Sequence, residues 1–300
     1  MHLPSGIPTL HDLDALKQTP LYARHLDFNR GFLQKHNQAM SAYGKHWGLD
    51  PFKLWSRRWE YPYVGQRLME FAANRHSKTL TQPSPGVPGE GNEGAFRVLD
   101  AGSGVTYFPY FIIDQLPRAE FICCDYDPSY SPMFERINAD RGGPSVRFMQ
   151  CMLQEIPLDE RSLDAICCIS VLEHTDNYGV IIREFARVLG EGGMLVLTFD
   201  LSLDGKFTLP KSLAEEMLGQ IGEEFDLPAG FDWRAELEHM ADPDILSSDH
   251  VRRTEPELLP WSFPVRVYKA AQDLVQGKGW TTGFRSRTVF CLEATKKKPK

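Results

Sequence analysis

From Phe96 to Phe199 the chain alternates short apolar runs with amphipathic ones, and few folds accept that order. Arg97–Ala101, Glu120–Cys124, Val146–Cys151, Leu163–Leu172 and Met194–Phe199 read as strands. Leu163–Leu172 is apolar on both faces, as a central parallel strand must be. Between them, helices are expected over Thr106–Leu116, with Pro109 tolerated in the first turn, and around Pro132–Asp140, ahead of Gly142-Gly143. Val180–Leu189 carries apolar side chains at Val180, Ile181, Phe185, Val188 and Leu189, one face of a helix. Strands alternating with helices of this length predict a doubly wound α/β sheet, mostly parallel. Arg287–Ala294 reads as a last strand, antiparallel and at or near an edge.

The rest of the chain divides around this core. Residues 1–76 are expected to form a helical cap, aromatic-rich and punctuated by Pro20, Gly44 and Pro51, which favours several short helices over one long one. Residues 77–95 include the run Gln82-Pro83-Ser84-Pro85-Gly86, too poor in apolar side chains to pack a core, and are expected to be a flexible linker. The α/β domain then spans 96–300, with an insertion at about 203–265 in which Leu213–Glu224 looks helical and Asp226–Trp261 irregular.

Composition narrows the partners. With a net charge of −7, the sequence shows no evident basic run for phosphates beyond the short lysine tail at 296–300, which argues against a nucleic-acid partner. No run approaches the length of a membrane span, and the first residues lack a signal peptide's basic and apolar regions. The six cysteines, Cys123, Cys124, Cys151, Cys167, Cys168 and Cys291, lie in apolar strand-like runs without metal-ligand spacing. Reduced cysteines suit a cytoplasmic location. Asp242, Asp244, Asp249 and His250 lack a recognisable ligand pattern, so no metal is expected.

The first strand runs into Asp100-Ala101-Gly102-Ser103-Gly104-Val105-Thr106-Tyr107. In open α/β sheets, ligands sit beyond the carboxyl ends of the strands, where the strand order reverses. Glycines there let a backbone turn tightly and approach a ligand. A dinucleotide loop needs a third glycine where this chain has Tyr107, and a pyrophosphate gains nothing from Asp100. A cationic ligand does.

On these residues the chain resembles the class I S-adenosylmethionine-dependent methyltransferases. Val98-Leu99-Asp100-Ala101-Gly102-Ser103-Gly104 is similar to their first motif, with Thr106 where glycine is common. Asp125, ending the second strand about 20 residues on, falls on the family's ribose-binding acid. Gln154–Ile166, Ile169-Ser170-Val171-Leu172-Glu173-His174 and Glu184–Gly193 are similar to the family's later segments, in the same order. The resemblance implies a Rossmann-like fold, S-adenosylmethionine as cofactor, and Asp100, Gly102, Gly104, Asp125, Met152, Leu153 and Ser170 as cofactor-binding residues. Many relatives have an Asp near the adenine amino group; here that position is Met152, so packing and backbone groups are expected to replace it.

Methyl transfer from a sulfonium is an in-line displacement, in which the protein positions a nucleophile and excludes water. A hydroxyl acceptor gains from a nearby base, and His174, just after the fourth strand, is the candidate catalytic residue; a structural histidine is the alternative. In the cap, Trp55 and Trp59 are expected either to stack on a substrate or to pack the cap onto the sheet, and Arg57 or Arg58 can meet a carboxylate. The expected acceptor is a small molecule, O-directed, of the kind that specialised metabolism tailors. N-methylation, a peptide or protein acceptor, and a non-catalytic cofactor-binding protein are the alternatives. The sequence sets no oligomeric state.

Overall fold

The computed structural model describes residues 1–41, 43, 50–81, 95–143, 145–205, 208–259, 263–275 and 283–298. Most of the expected linker, 82–94, lies outside the described residues, as does the end of the lysine tail. Seven strands form one sheet: β1 (Phe96–Ala101), β2 (Ala119–Asp125), β3 (Arg147–Gln150), β4 (Leu163–Ile169), β5 (Leu189–Ser202), β6 (Phe225–Asp226) and β7 (Arg287–Lys296). Their spatial order is β3-β2-β1-β4-β5-β7-β6. The first five pair in parallel, and β7 runs antiparallel to β5 and β6, so the C-terminal strand lies next to the edge as expected. This is a Rossmann-like sheet.

Side chains alternate across each strand. Val98, Cys123, Cys167, Val196 and Cys291 face one apolar layer, and Leu99, Cys124, Ile166, Leu195 and Leu292 the other. The first layer is closed by α1 (Leu10–Lys17), α2 (Pro20–Lys35), the short α3 (Asn37–Met40), α4 (Arg57–Thr81), α5 (Phe108–Gln115) and α6 (Ser131–Arg141). The second is closed by α7 (Tyr178–Val188), α8 (Lys211–Glu224) and α9 (Trp233–Glu238); α10 (Ser248–Thr254) and α11 (Phe263–Val275) follow. Helices on both faces explain why the central strands carry apolar residues throughout.

The cap differs from the expectation of short helices only. α4 runs for 25 residues although Pro62 lies inside it. A proline there removes one helix hydrogen bond. Trp59, Tyr63, Val64 and Leu68, all 0% exposed, hold the helix against the sheet in spite of it. Tertiary burial overrides local propensity here. The insertion is more ordered than its composition suggests. Arg58 joins it to the cap, donating to Glu255 at 2.7 Å, and Trp55 N donates to Leu258 O at 3.2 Å.

Among the described residues no helix is long and apolar enough to cross a membrane. No group of His, Cys, Asp and Glu among them is arranged to hold a metal ion. Asp242 instead pairs with His239, and Asp249 accepts from Ser286.

Candidate cofactor and acceptor site

A cavity of about 600 Å³ opens at the carboxyl ends of β1, β2, β3 and β4, where the strand order reverses between β1 and β4. Its volume is in the range of small-molecule sites. All eight residues named from the sequence line it: Asp100, Gly102, Gly104, Asp125, Met152, Leu153, Ser170 and His174.

The loop after β1 is held by its neighbour strand. Gly102 N and Ser103 N both donate to Cys124 O, at 2.8 and 3.0 Å. Gly104 N donates to Asp125 Oδ2 at 3.0 Å, and Asp127 N to Oδ1 at 3.3 Å. Both glycines have positive φ, +74° and +55°. A Cβ on Gly102 would lie 2.6 Å from the Val171 side chain, and one on Gly104 2.6 Å from the Tyr43 hydroxyl. Conformation and space therefore both require glycine at these two positions.

Asp100 ends β1 with 4% exposure. Burial pushes its carboxyl up to about 7; the Cys167 thiol opposes this and the Asp125 charge adds to it. Between about pH 4 and pH 7 the folded protein keeps a proton here that the unfolded chain has released. The stability this contributes is complete below about pH 4 and lost as pH rises through 7. The unfolding temperature of the ligand-free protein should thus fall across that interval. Asp100→Asn should flatten part of the fall, and identical profiles by calorimetry would refute the assignment.

Asp125 sits at the end of β2 with 7% exposure, its carboxylate edge on the cavity. Beyond β3, Cys151, Met152 and Leu153 form one wall; Met152 is 58% exposed at the rim and Leu153 is buried. All six cysteines are free thiols, and five are buried; Cys151 is the exception. His174 follows β4 on an exposed turn at the cavity's edge, beside Thr175 and Asp176.

The roof comes from the cap, and most of it escaped the sequence. Tyr43, Leu54, Arg57 and Tyr61 line the cavity; Trp55 and Trp59 are buried and do not. Of the two roles expected for these tryptophans, burial favours packing the cap over stacking on a substrate. Arg58 also points away, to Tyr22 and Glu255. Arg57 points inward. Its Nη1 donates to Glu60 Oε2 at 2.5 Å and Ser170 Oγ at 2.6 Å. Glu60 is 0% exposed, and its Oε1 accepts from Ser170 Oγ at 2.6 Å and Thr198 Oγ1 at 2.5 Å. Burial opposes both charges. The ion pair and the hydroxyl donors outweigh it, so Glu60 stays ionised and Arg57 protonated. Ser170 has positive φ, +50°, and its hydroxyl is committed to this bracket. The Arg57–Glu60 pair at helical i,i+3 spacing was the one signal that could have revealed Glu60.

Residues 99–197 match the family model described as a methyltransferase domain. Over 101 residues the chain is 27% identical to a demethylmenaquinone methyltransferase of Thermus thermophilus, covering 34% of this chain and 46% of that protein. It is 32% identical over 101 residues to a probable S-adenosylmethionine-dependent methyltransferase of Mycobacterium tuberculosis, covering 34% of each. Among solved structures, a putative sarcosine dimethylglycine methyltransferase from Galdieria sulphuraria aligns with TM-score 0.45 and 16% identity, over 77% of this chain and 86% of that one. The chain carries a class I S-adenosylmethionine-dependent methyltransferase domain, and S-adenosylmethionine is the cofactor of that family. The matched segment spans less than half the length of these curated relatives.

The donor set suits that cofactor. Asp100 offers a buried carboxyl to a cation, and Asp125 a carboxylate to a diol. The Cys151–Leu153 wall offers an apolar face to an adenine, and the two glycines line the cavity with bare backbone.

Proposed function

We propose that the chain transfers the methyl group of S-adenosylmethionine to a small-molecule acceptor, with a hydroxyl as the reacting group. The observation that carries this reading is the convergence of the eight residues on one cavity roofed by Tyr43, Arg57 and Tyr61. A roofed cavity of this size suits a small acceptor better than a polymer. The cap (1–76), linker (77–95) and methyltransferase domain (96–300, with its insertion at 203–265) are the corresponding division of labour, with α4 continuing through the first residues of the linker to Thr81.

The bound cofactor supplies an electrophilic methyl on a sulfonium. Asp125 takes the ribose hydroxyls, Met152 and Leu153 pack the adenine, and Asp100 faces the ammonium. Because that ammonium favours the ionised carboxyl, binding tightens as pH rises toward 7 and then levels off. The cap excludes water and orients the acceptor. His174 accepts the hydroxyl proton as the oxygen attacks.

The reading is tested first by calorimetry with S-adenosylhomocysteine: a wild-type protein that does not bind it is not a methyltransferase of this kind. A panel of small phenols, alcohols and amines with methyl-labelled cofactor then sorts the acceptors. His174→Ala should lower kcat by about 10²–10⁴-fold on a hydroxyl acceptor, with the cofactor KM unchanged. An unaltered kcat would leave His174 a structural residue, and binding without turnover of any acceptor would favour a non-catalytic cofactor protein.

A further inference from the structure

The Arg57 guanidinium is only half used. Nη1 is fixed by Glu60 and Ser170, yet among the described residues no partner meets Nε or Nη2. Neither atom is a buried orphan, and Arg57, its side chain 18% exposed, lines the cavity. Two donors in fixed fork geometry therefore face the space where ligands enter. Glu60 does not itself line that space; it is buried beneath, anchored by hydroxyls from β4's end and from β5. The Arg57 head is thus braced from behind and open in front. A planar guanidinium held this way matches a carboxylate through two parallel hydrogen bonds. A phosphate would match too, but the same cavity presents Asp100 and Asp125, which repel a dianion more than a single carboxylate.

We propose that Arg57 forms a carboxylate-binding subsite of the cavity, with Glu60 as its positioning residue. The proposal rests on the methyltransferase reading of the site. The carboxylate belongs either to the amino-acid end of the cofactor or to the acceptor, and both offer Arg57 the same chemistry. Glu60 fixes the direction of the fork through Nη1 and leaves the Nε and Nη2 donors for a carboxylate.

The test is calorimetry on the full chain with two probes, S-adenosylhomocysteine and its decarboxylated analogue, which keeps the adenosine and the amine. Wild type, Arg57→Gln and Glu60→Gln are compared. If the cofactor supplies the carboxylate, Arg57→Gln weakens S-adenosylhomocysteine by about tenfold or more and leaves the analogue unchanged. Glu60→Gln then gives a smaller loss on the same ligand only. If the acceptor supplies it, both nucleoside probes bind the variants as they bind wild type. Benzoate titrated into the S-adenosylhomocysteine-loaded protein then binds wild type and not Arg57→Gln. The analogue's affinity doubles as the control for folding: a loss shared equally by both probes means a structural role and overturns the subsite. So does wild-type affinity for all three probes in Arg57→Gln, or benzoate that ignores the variant when the nucleosides do too. Failure of wild type to bind S-adenosylhomocysteine would instead remove the function on which the subsite rests.

Discussion

Asp125→Ala should weaken S-adenosylhomocysteine binding by about a hundredfold or more. The carboxylate does two things at once. It accepts from Gly104 N and Asp127 N, which fixes the glycine loop against the end of β2. Its remaining lone pairs face the cavity, where a ribose offers two hydroxyl donors. Hydrogen bonds to a charged acceptor contribute about 1.5–3 kcal/mol each, so losing two gives the stated factor. Isothermal calorimetry measures it directly. Asp125→Asn should fall between, because an amide accepts at one oxygen only. An unchanged Kd in the alanine variant would remove the ribose assignment while leaving the fold untouched.

The largest effect on stability is expected from Glu60→Ala, about 3–5 kcal/mol. Breaking a buried pair from one side leaves the other charge uncompensated. Here the loss also strands the Ser170 and Thr198 hydroxyls. Arg57 itself can turn toward the cavity and find water, which sets the lower end of the range. Denaturant unfolding of the ligand-free protein, with the slope checked for constancy, is the measurement. A change below about 1 kcal/mol would place the pair among those that contribute little net stability. Glu60→Gln keeps the shape and one of the two acceptor oxygens, so it should cost less.

These two residues also show what was legible in advance. Asp125 could be read from the chain because its role is local: it ends a strand, a set distance after a glycine turn. Asp100, Gly102 and Gly104 were legible for the same reason, and both glycines satisfy a positive φ and a close contact that only glycine permits. Glu60 was invisible because its partners are remote. It meets Ser170 and Thr198 across 110 and 138 residues of sequence. A glutamate beside tryptophans looks like any helix-surface acid until the fold buries it. Trp55 and Trp59 were open in both directions. Aromatic side chains near cations suit a ligand surface or a packed seam, and their burial decides for the seam. The length of α4 was hidden by Pro62, since the packing that overrides a proline is not written locally.

The cap rests on the far end of the chain. α4 packs on β7, Arg67 meets Glu293 at 3.2 Å, and Gly6 N donates to Cys291 O at 2.7 Å. During synthesis the helix that roofs the cavity emerges about 200 residues ahead of β7, the strand it rests on here. At about 5–20 residues per second, roughly ten seconds or more separate the two. Throughout that interval Trp59, Tyr63 and Val64 have no β7 to lie on, and they present an adhesive apolar face to whatever is near. The cavity's roof is therefore fully supported only once β7 has arrived, and chaperone dependence should concentrate in that window.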